Sequence, residues 1–246
     1  CDWSSDVCSS DLSTGDVDAS TLSVTLSVGH GALTLSRTTG LTFSQGDGTA
    51  DATLSFTGTI SAVNTALEGL TYRPSLNYNG ADTLTITTSD LGASGLGGTL
   101  QDSDSIAITV QPVNDAPVNA VPATTQAVNE DTALVFNVAN GNSISVSDVD
   151  ATNLELTLTV SHGVLSLAST NGLSFGNGDG ASDASMTFSG PIAAVNAALA
   201  GLTYMGNRDY NGPDTLVVFT SDLGASGAGG TLTDSDSVSI LVNAVN

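Results

Sequence analysis

The clearest chemistry in this sequence lies in short groups of aspartate residues that occur twice. The tripeptide Asp-Val-Asp stands at 16–18 and again at 148–150, and alanine follows it each time. An Asp-x-Asp loop supplies two carboxylates on one side of the chain, and Asn114 and Asp115 add side-chain and carbonyl oxygens. Because Ca²⁺ takes about six to eight oxygen ligands, these residues predict binding of a hard cation.

Residues that would indicate an enzyme show no comparable pattern. His30 and His162 each precede a glycine, without a nucleophile elbow or a His-x-x-x-His spacing. The Gly-rich stretch 224–230 lacks the Lys-Ser/Thr pair of a phosphate-binding loop and therefore predicts a hairpin tip. We expect a structural turn role for both histidines and no catalytic activity.

The charge balance limits the partners of the chain. There are 25 acidic residues and only 3 basic ones, Arg37, Arg73 and Arg208, which gives a formal net charge of −22. Binding to phosphate groups requires Lys and Arg, so nucleic acid and anionic membranes are not expected partners. No apolar run reaches the length of about 18 residues that a membrane-spanning helix needs, so no membrane insertion is expected in this fragment.

The first twelve residues differ from the rest of the chain. They contain both cysteines and the only tryptophan, and they match the translation of a short-read sequencing adapter residue for residue. We interpret residues 1–12 as an artefact of an assembled environmental (metagenomic) fragment; the alternative is a real, flexible, Ser/Asp-rich tail. No cysteine occurs later, so a disulfide framework, a Cys-containing zinc site and thiol catalysis are not expected.

The rest of the sequence is a tandem repeat. Residues 13–114 align with 145–246 at a constant offset of 132 without a gap, and 60 of the 102 aligned positions are identical. Such a fixed period indicates repeated structural units. We predict one repeat over 13–114 that lacks its first strands, a second repeat over 115–246, and a fragment that is cut at both ends.

Each repeat shows the patterns of a β-sandwich with a short helix. Segments such as 154–160, 184–190 and 236–242 alternate apolar and polar residues and are separated by Gly, Asn and Asp turns, which predicts six or more strands per repeat. Apolar residues at spacings of three and four in 191–202, and in the matching 59–70, predict a short helix that ends at Gly201. The fold class is therefore all-β, with one helical insertion in each sandwich.

Several motifs occur in an order that resembles a known family. "VNDAPV" at 113–118, "VNEDT" at 128–132, "SVSDVDA" at 145–151 and "TSDLGASG" at 220–227 resemble the linker, strand-entry and loop motifs of cadherin repeats. "SHGVLSL", followed by "LTYMGNRDYNGPDTLVVFTSDLG", is similar to related repeats of chondroitin-sulfate proteoglycans and giant bacterial surface adhesins. The resemblance implies tandem cadherin/Ig-like β-sandwich repeats.

This resemblance also implies Ca²⁺ at the junction between repeats. The linker residues and the loops of the second repeat that it implies as ligands are Asn114, Asp115, Asp148, Asp150 and Asp222. Glu130 would be a ligand at the opposite end of the second repeat, toward Asn246. In the first repeat, Asp16, Asp18 and Asp90 would be the ligands at the junction with a preceding linker. A further acidic loop at 176–183, with its copy at 44–51, is compatible with either a cation ligand or ordinary turn chemistry.

Three classes of function are compatible with the sequence. The first is a calcium-stiffened stalk of a large adhesin, extracellular or on the bacterial cell surface, whose partners are the neighbouring repeats and, through a distal head, a host or matrix glycan or protein. The second is a β-sandwich module that binds glycan or matrix directly. The scarcity of aromatic residues argues against this second class. The third is an accessory domain of a secreted enzyme.

Overall fold

The computed structural model describes residues 12–92, 98–224 and 226–246 and divides the chain into two compact units. The first unit ends at Pro112 and the second runs from Val113 to Asn246. This division lies two residues before the repeat boundary because Val113 pairs with Ala228 and Asn114 is buried within the second unit. Of the stretch that we interpret as adapter-derived, residues 1–11 lie outside the described residues. The last of that stretch, Leu12, packs against the core of the first unit.

The first unit contains seven strands and one helix within its described residues. Four strands precede the helix and three follow it. The elements are β1 (Thr21–Ser27), β2 (Gly31–Thr34), β3 (Leu41–Gln45), β4 (Thr53–Thr59), α1 (Ile60–Leu67), β5 (Thr71–Pro74), β6 (Gly80–Ser89) and β7 (Gln101–Val110). The strands form a five-stranded antiparallel sheet in the order β3-β4-β1-β6-β7 and a two-stranded sheet of β2 and β5.

The second unit repeats this plan and adds four strands before it. The first three of them are β8 (Val118–Ala120), β9 (Gln126–Asn129) and β10 (Ala133–Phe136), and the fourth is β11 (Ser145–Ser147). The others are β12 (Asn153–Thr159), β13 (Gly163–Ser166), β14 (Ser174–Asn177), β15 (Ser185–Pro191), α2 (Ile192–Leu199), β16 (Leu202–Gly206), β17 (Gly212–Ser221) and β18 (Thr233–Asn243). They form a six-stranded sheet (β14-β15-β12-β17-β18-β9), a three-stranded sheet (β10-β16-β13) and the pair β11-β8.

Alternation along the strands places the core between the sheets. In β12, Leu154, Leu156 and Leu158 are fully buried, whereas the residues between them are only partly buried. They belong to the same core as Phe136 of β10 and Tyr204 of β16. Burying a side chain of this size stabilises the fold by about 1.5–3 kcal/mol. The predicted all-β sandwich is confirmed for this unit.

Both helices lie where the spacing of apolar residues predicts them. In α2, Val195, Ala198 and Leu199 are buried, and the helix contacts β11 and β15. Gly201 follows its C-terminus with a positive φ of 117°, a conformation that favours glycine. The predicted hairpin tip at 224–230 belongs to the loop between β17 and β18, and its residue 225 lies outside the described residues.

Replacing Gly163 with alanine is expected to destabilise the second unit. A Cβ at this position of β13 would contact the Tyr204 ring and would lie 2.5 Å from the carbonyl oxygen of Met205. Such overpacking costs about 1–3 kcal/mol, and thermal unfolding measures it. Gly176→Ala in β14 is the matched control, because its nearest neighbouring atoms are 3.9 Å away. Equal stability of the two variants would contradict the prediction.

Candidate metal centre

The helix fixes the strand that leads into the second Asp-x-Asp loop. The side-chain amide of Asn196 in α2 accepts a hydrogen bond from the backbone N–H of Val146 at 2.9 Å and donates one to its carbonyl oxygen at 2.8 Å. Asn64 in α1 holds Thr14 in the same way, at 2.8 and 2.9 Å. Sequence reasoning missed this role of the asparagine, although the Ala-Val-Asn tripeptide recurs in both helices.

Asp148 closes the loop with one carboxylate oxygen and leaves the other without a hydrogen bond. Its Oδ1 accepts from the N–H groups of Asp150, at 2.8 Å, and Ala151, at 2.7 Å. Its Oδ2 is buried and has no hydrogen-bond partner among the described residues. Burial of an acceptor without a partner is costly, so this oxygen is a candidate ligand.

Asp222 is the most buried of the predicted ligands, with no solvent exposure. Its Oδ1 accepts from the N–H groups of Gly224 and Leu232, at 2.8 and 2.9 Å, and its Oδ2 accepts from the Asn114 amide. Burial by itself raises the pKa of this carboxyl, but these hydrogen bonds outweigh it and leave the pKa below its usual value. Asp222 is therefore held as a carboxylate at neutral pH.

Asn114 connects the start of the second unit to Asp222 by a hydrogen bond. Its backbone N–H donates to the Ala228 carbonyl at 3.0 Å, and its side-chain amide also donates to the Gly230 carbonyl at 2.8 Å. Its own Oδ1 is buried and has no partner within the described ranges, and the residue is only 6% exposed. This is the second buried oxygen in the group that lacks a hydrogen bond.

The structure thus connects five of the six predicted ligands that lie in the second unit. The exposed Asp115 donates its backbone N–H to Oδ2 of Asp150 at 2.7 Å, which links the Asn114–Asp222 pair to the Asp148 loop. In the part of the chain that the structure describes, no three carboxylate, imidazole or thiol side chains form a cluster that could hold a metal ion by themselves. A cation here would also need the amide oxygen of Asn114.

The remaining predicted ligands lie elsewhere. Glu130 accepts a hydrogen bond from the N–H of Val245 at 2.7 Å, so it lies beside the last residues of the second unit, and its role as a ligand stays a prediction. In the first unit, Asp16 accepts from the N–H groups of Asp18 and Ala19, at 2.7 and 2.6 Å, and these hydrogen bonds lower its pKa. Asp90 accepts from Gly92 and Leu100, both at 2.8 Å.

The acidic loop at 176–183 has the geometry of a turn. Oδ2 of Asp183 accepts from the N–H groups of Asp179 and Gly180, at 3.1 and 2.9 Å, and therefore closes the loop. Asp51 closes the matching loop of the first unit in the same way, at 3.0 Å to both Asp47 and Gly48. The sequence allows either a cation ligand or an ordinary turn here, and these hydrogen bonds favour the ordinary turn.

A second buried aspartate was not predicted. Asp214 accepts hydrogen bonds from the N–H groups of Ser161, His162 and Thr215, at 2.8 to 3.1 Å, and from the Tyr204 hydroxyl at 2.9 Å. His162 stacks on Tyr210 with ring centroids 4.4 Å apart, and its Nδ1 lies 3.7 Å from Asp214. These contacts tie the turn between β12 and β13 to β17, which agrees with the structural role expected for the histidine.

The first unit contains the same arrangement around Asp82, which is 6% exposed. Burial raises the pKa of this carboxyl, but hydrogen bonds from the Tyr72 hydroxyl and from the N–H groups of His30, Thr83 and Gly29 outweigh it and lower the pKa to about 2. The tyrosine responds in the opposite direction: burial and the neighbouring carboxylate raise its pKa. Recurrence of the aspartate at the same repeat position was the signal that could have revealed this role.

Comparisons with known proteins concern the fold alone. No protein-family model matches the sequence, and no curated protein sequence is similar to it. A crystal structure of mouse cadherin-23 EC22-24 is similar over 89% of this chain and 54% of that chain, at 15% identity and a TM-score of 0.35. An endo-fucoidan hydrolase of glycoside hydrolase family 107 is similar over 91% of this chain and 24% of that chain, at 17% identity and a TM-score of 0.25. The chain thus spans about half of the first and a quarter of the second, and neither likeness assigns an activity.

No helix in the described residues is long and apolar enough to cross a membrane.

Proposed function

We propose that the chain is a calcium-binding structural repeat from the stalk of a large extracellular or cell-surface adhesin of bacterial origin. The observation that carries this proposal is the pair of buried oxygens without hydrogen bonds, Oδ1 of Asn114 and Oδ2 of Asp148, in the group that contains Asp115, Asp150 and Asp222. All of these donors are oxygens, the ligand type that Ca²⁺ prefers. The module is not catalytic, and its partners are neighbouring repeats of the same chain.

The residues of this group have different roles in binding. Asp222 and Asn114 hold the start of the second unit in place, and Asp148 and Asp150 present carboxylates from the loop. When bound, Ca²⁺ supplies positive charge that removes the mutual repulsion of these carboxylates. Asn114 and Asp115 lie two and three residues after Pro112, where the first unit ends, so holding them firmly stiffens the joint between repeats. A distal head elsewhere in the adhesin would recognise the glycan or protein target.

Calcium is expected to stabilise the second unit of the full chain. Extracellular calcium modules have dissociation constants of about 10⁻⁴–10⁻³ M, and a free concentration a hundredfold above the constant stabilises the folded state by about 2.7 kcal/mol. Calorimetry would measure binding, and hydrogen exchange would localise the stabilisation to residues 113–246. Proteolysis between Gln111 and Asp115 is expected to slow in calcium relative to chelator.

Asp148→Asn tests the site without removing the turn. The variant keeps Oδ1 as the acceptor for Asp150 and Ala151, but it replaces the unpartnered Oδ2 with an amide nitrogen that cannot bind a cation. Calcium affinity is expected to fall at least about tenfold, because one charged ligand is lost. Asp179→Asn in the exposed turn is the matched control and should leave affinity unchanged. If the wild-type chain neither binds nor is stabilised by calcium up to about 10 mM, the proposed function is wrong.

A further inference from the structure

The sequence contains several asparagine residues that directly precede a glycine. These Asn–Gly pairs begin at Asn79, Asn140, Asn171, Asn177 and Asn211. The backbone nitrogen of such a glycine can attack the carboxamide of the preceding side chain, because glycine has no Cβ to hinder the approach and adopts many backbone conformations. The reaction therefore requires that the carboxamide and the glycine N–H are both free to move.

Hydrogen bonds restrain the pairs at Asn140 and Asn177. At Asn140 the side-chain amide and the N–H of Gly141 each donate to a backbone carbonyl oxygen, at 2.9 and 3.1 Å. The side-chain amide of Asn177 donates to the Ser185 carbonyl oxygen at 3.0 Å. In both pairs the carboxamide is held away from the glycine nitrogen until a hydrogen bond breaks.

The pairs at Asn79 and Asn211 are restrained by the strands that they precede. Their glycines are the first residues of β6 and β17. In the second unit the Tyr210 hydroxyl donates to the Pro213 carbonyl oxygen at 2.6 Å, and the corresponding tyrosine of the first unit makes the same hydrogen bond. The Asn–Gly pair lies inside the loop that this hydrogen bond closes, so its backbone is fixed on both sides.

The pair Asn171–Gly172 occupies the centre of the turn between β13 and β14. The N–H of Leu173 donates to the Thr170 carbonyl oxygen at 3.2 Å, and Gly172 has a positive φ of 76°. Neither the Asn171 side chain nor the Gly172 N–H has a hydrogen-bond partner among the described residues, and both residues are exposed. Both reacting groups are therefore free at this pair.

We propose that Asn171 is a site of spontaneous deamidation. The backbone nitrogen of Gly172 forms a bond to Cγ of Asn171 as the bond from Cγ to Nδ2 breaks. The proton of the Gly172 N–H passes through water to the leaving nitrogen, which departs as ammonia. Water then opens the cyclic imide at one of its two carbonyl groups and gives aspartate or isoaspartate. The reaction needs no oxidant and no cofactor.

Isoaspartate at this turn would change its contact with β15. The main chain then gains one carbon atom between positions 171 and 172. A Cβ built on Gly190 of β15 would lie only 2.7 Å from the Gly172 carbonyl oxygen, so the two backbones are already in close contact. The longer turn cannot keep this contact together with its closing hydrogen bond. We therefore expect β14, which lies at the edge of the six-stranded sheet, to loosen as the protein ages.

Mass spectrometry of the full chain, aged at mildly alkaline pH and then digested, tests the proposal. The peptide that contains Asn171 is expected to gain about 1 Da, because an NH₂ group is replaced by OH. The gain should be at least about tenfold faster than at Asn140 or Asn177, whose carboxamides must first lose a hydrogen bond. Fragmentation of the peptide backbone would distinguish isoaspartate from aspartate. No gain at Asn171, or an equal rate at Asn140, would overturn the proposal.

The first unit offers a reciprocal pair of variants, because it has the same turn with Thr39 in place of the asparagine. Its Gly40 has a φ of 81°, and the turn is closed by a hydrogen bond of 3.2 Å. Asn171→Thr should abolish the mass gain and leave the fold unchanged, whereas Thr39→Asn should create the same reaction in the first unit. Absence of conversion at position 39 would contradict the role that we assign to the turn.

Hydrogen exchange tests the consequence for β14. Exchange in residues 173–177 should be faster in the aged wild-type chain than in the fresh one, and it should not change with age in the Asn171→Thr variant. Equal ageing of the two chains would show that the loosening has another cause. All of these measurements are made without calcium, so their outcome is independent of the proposed function.

Discussion

Replacing Asp222 with alanine is expected to destabilise the second unit by about 4 kcal/mol, since three donors lose a fully buried acceptor at about 1–3 kcal/mol each, partly offset by entry of water. The donors are the N–H groups of Gly224 and Leu232 and the side-chain amide of Asn114. Chemical denaturation of the full chain, followed by hydrogen exchange to separate the two units, would measure the loss.

Asp90→Ala is the matched control in the first unit. This carboxylate accepts from the equivalent N–H groups of Gly92 and Leu100, but no asparagine from a preceding segment contacts it within the described ranges, and it is only partly buried. Its removal is expected to cost less than half as much, because water can reach the donors that it leaves. Equal losses at the two positions would show that burial under Asn114 is unimportant for Asp222.

Replacing Asp214 with asparagine is expected to destabilise the second unit by about 3 kcal/mol, because in either orientation of the amide its buried nitrogen faces at least one backbone N–H group, which can only donate. The variant keeps the shape of the side chain, so the loss measures the missing acceptor rather than a cavity. Asp209→Asn is the control: its carboxylate is 81% exposed, and asparagine tolerates the positive φ of 57° at that position. If both variants unfold at the same denaturant concentration, the Asp214 contacts contribute nothing.

The same aspartates predict loss of stability in acid. The pKa of Asp82 is about 2 in the folded first unit, below the value of about 3.9 in an unfolded chain, and the pKa of Asp214 is also lowered. A carboxyl group whose pKa is lower in the folded chain than in the unfolded chain contributes stability that is fully present at a pH above the unfolded pKa. This contribution is lost as the pH falls through the folded pKa. For Asp82 this amounts to roughly 2.6 kcal/mol, lost between about pH 5 and pH 1. Asp82→Asn should flatten this part of the stability curve of the first unit, and an unchanged curve would contradict the assignment.

Much of the fold could be predicted because it depends on local patterns. Alternation of apolar residues identified the strand that contains Leu154, Leu156 and Leu158, and spacings of three and four identified both helices. The short strand β8 was missed, since three residues, Val118–Ala120, are too few to show a period. It is recognisable as a strand only through its pairing with β11.

The candidate site could be predicted in part. The aspartates of the loops were identified by residue type, spacing and family resemblance, and the structure brings Asp148, Asp150 and Asp222 into one hydrogen-bonded group with Asn114 and Asp115. The sequence could not show that Oδ1 of Asn114 and Oδ2 of Asp148 lack hydrogen bonds, because that depends on which donors the folded chain brings within reach. Nor could it distinguish Asp183, which closes a turn, from a ligand.

The sequence by itself determined the repeat, the all-β class, the helical insertion and the acidic loops, since these follow from residue order and local preference. Only the tertiary structure decided which acidic residues are buried. Asp214 and the exposed Asp209 lie five positions apart, yet four hydrogen bonds converge on the first and make its burial possible. The same applies to Asp222 and Asp90, which occupy the same position in the two repeats. Of these two, Asn114 contacts Asp222 alone, and only Asp222 is fully buried, because burial is set by neighbours that are distant in the chain.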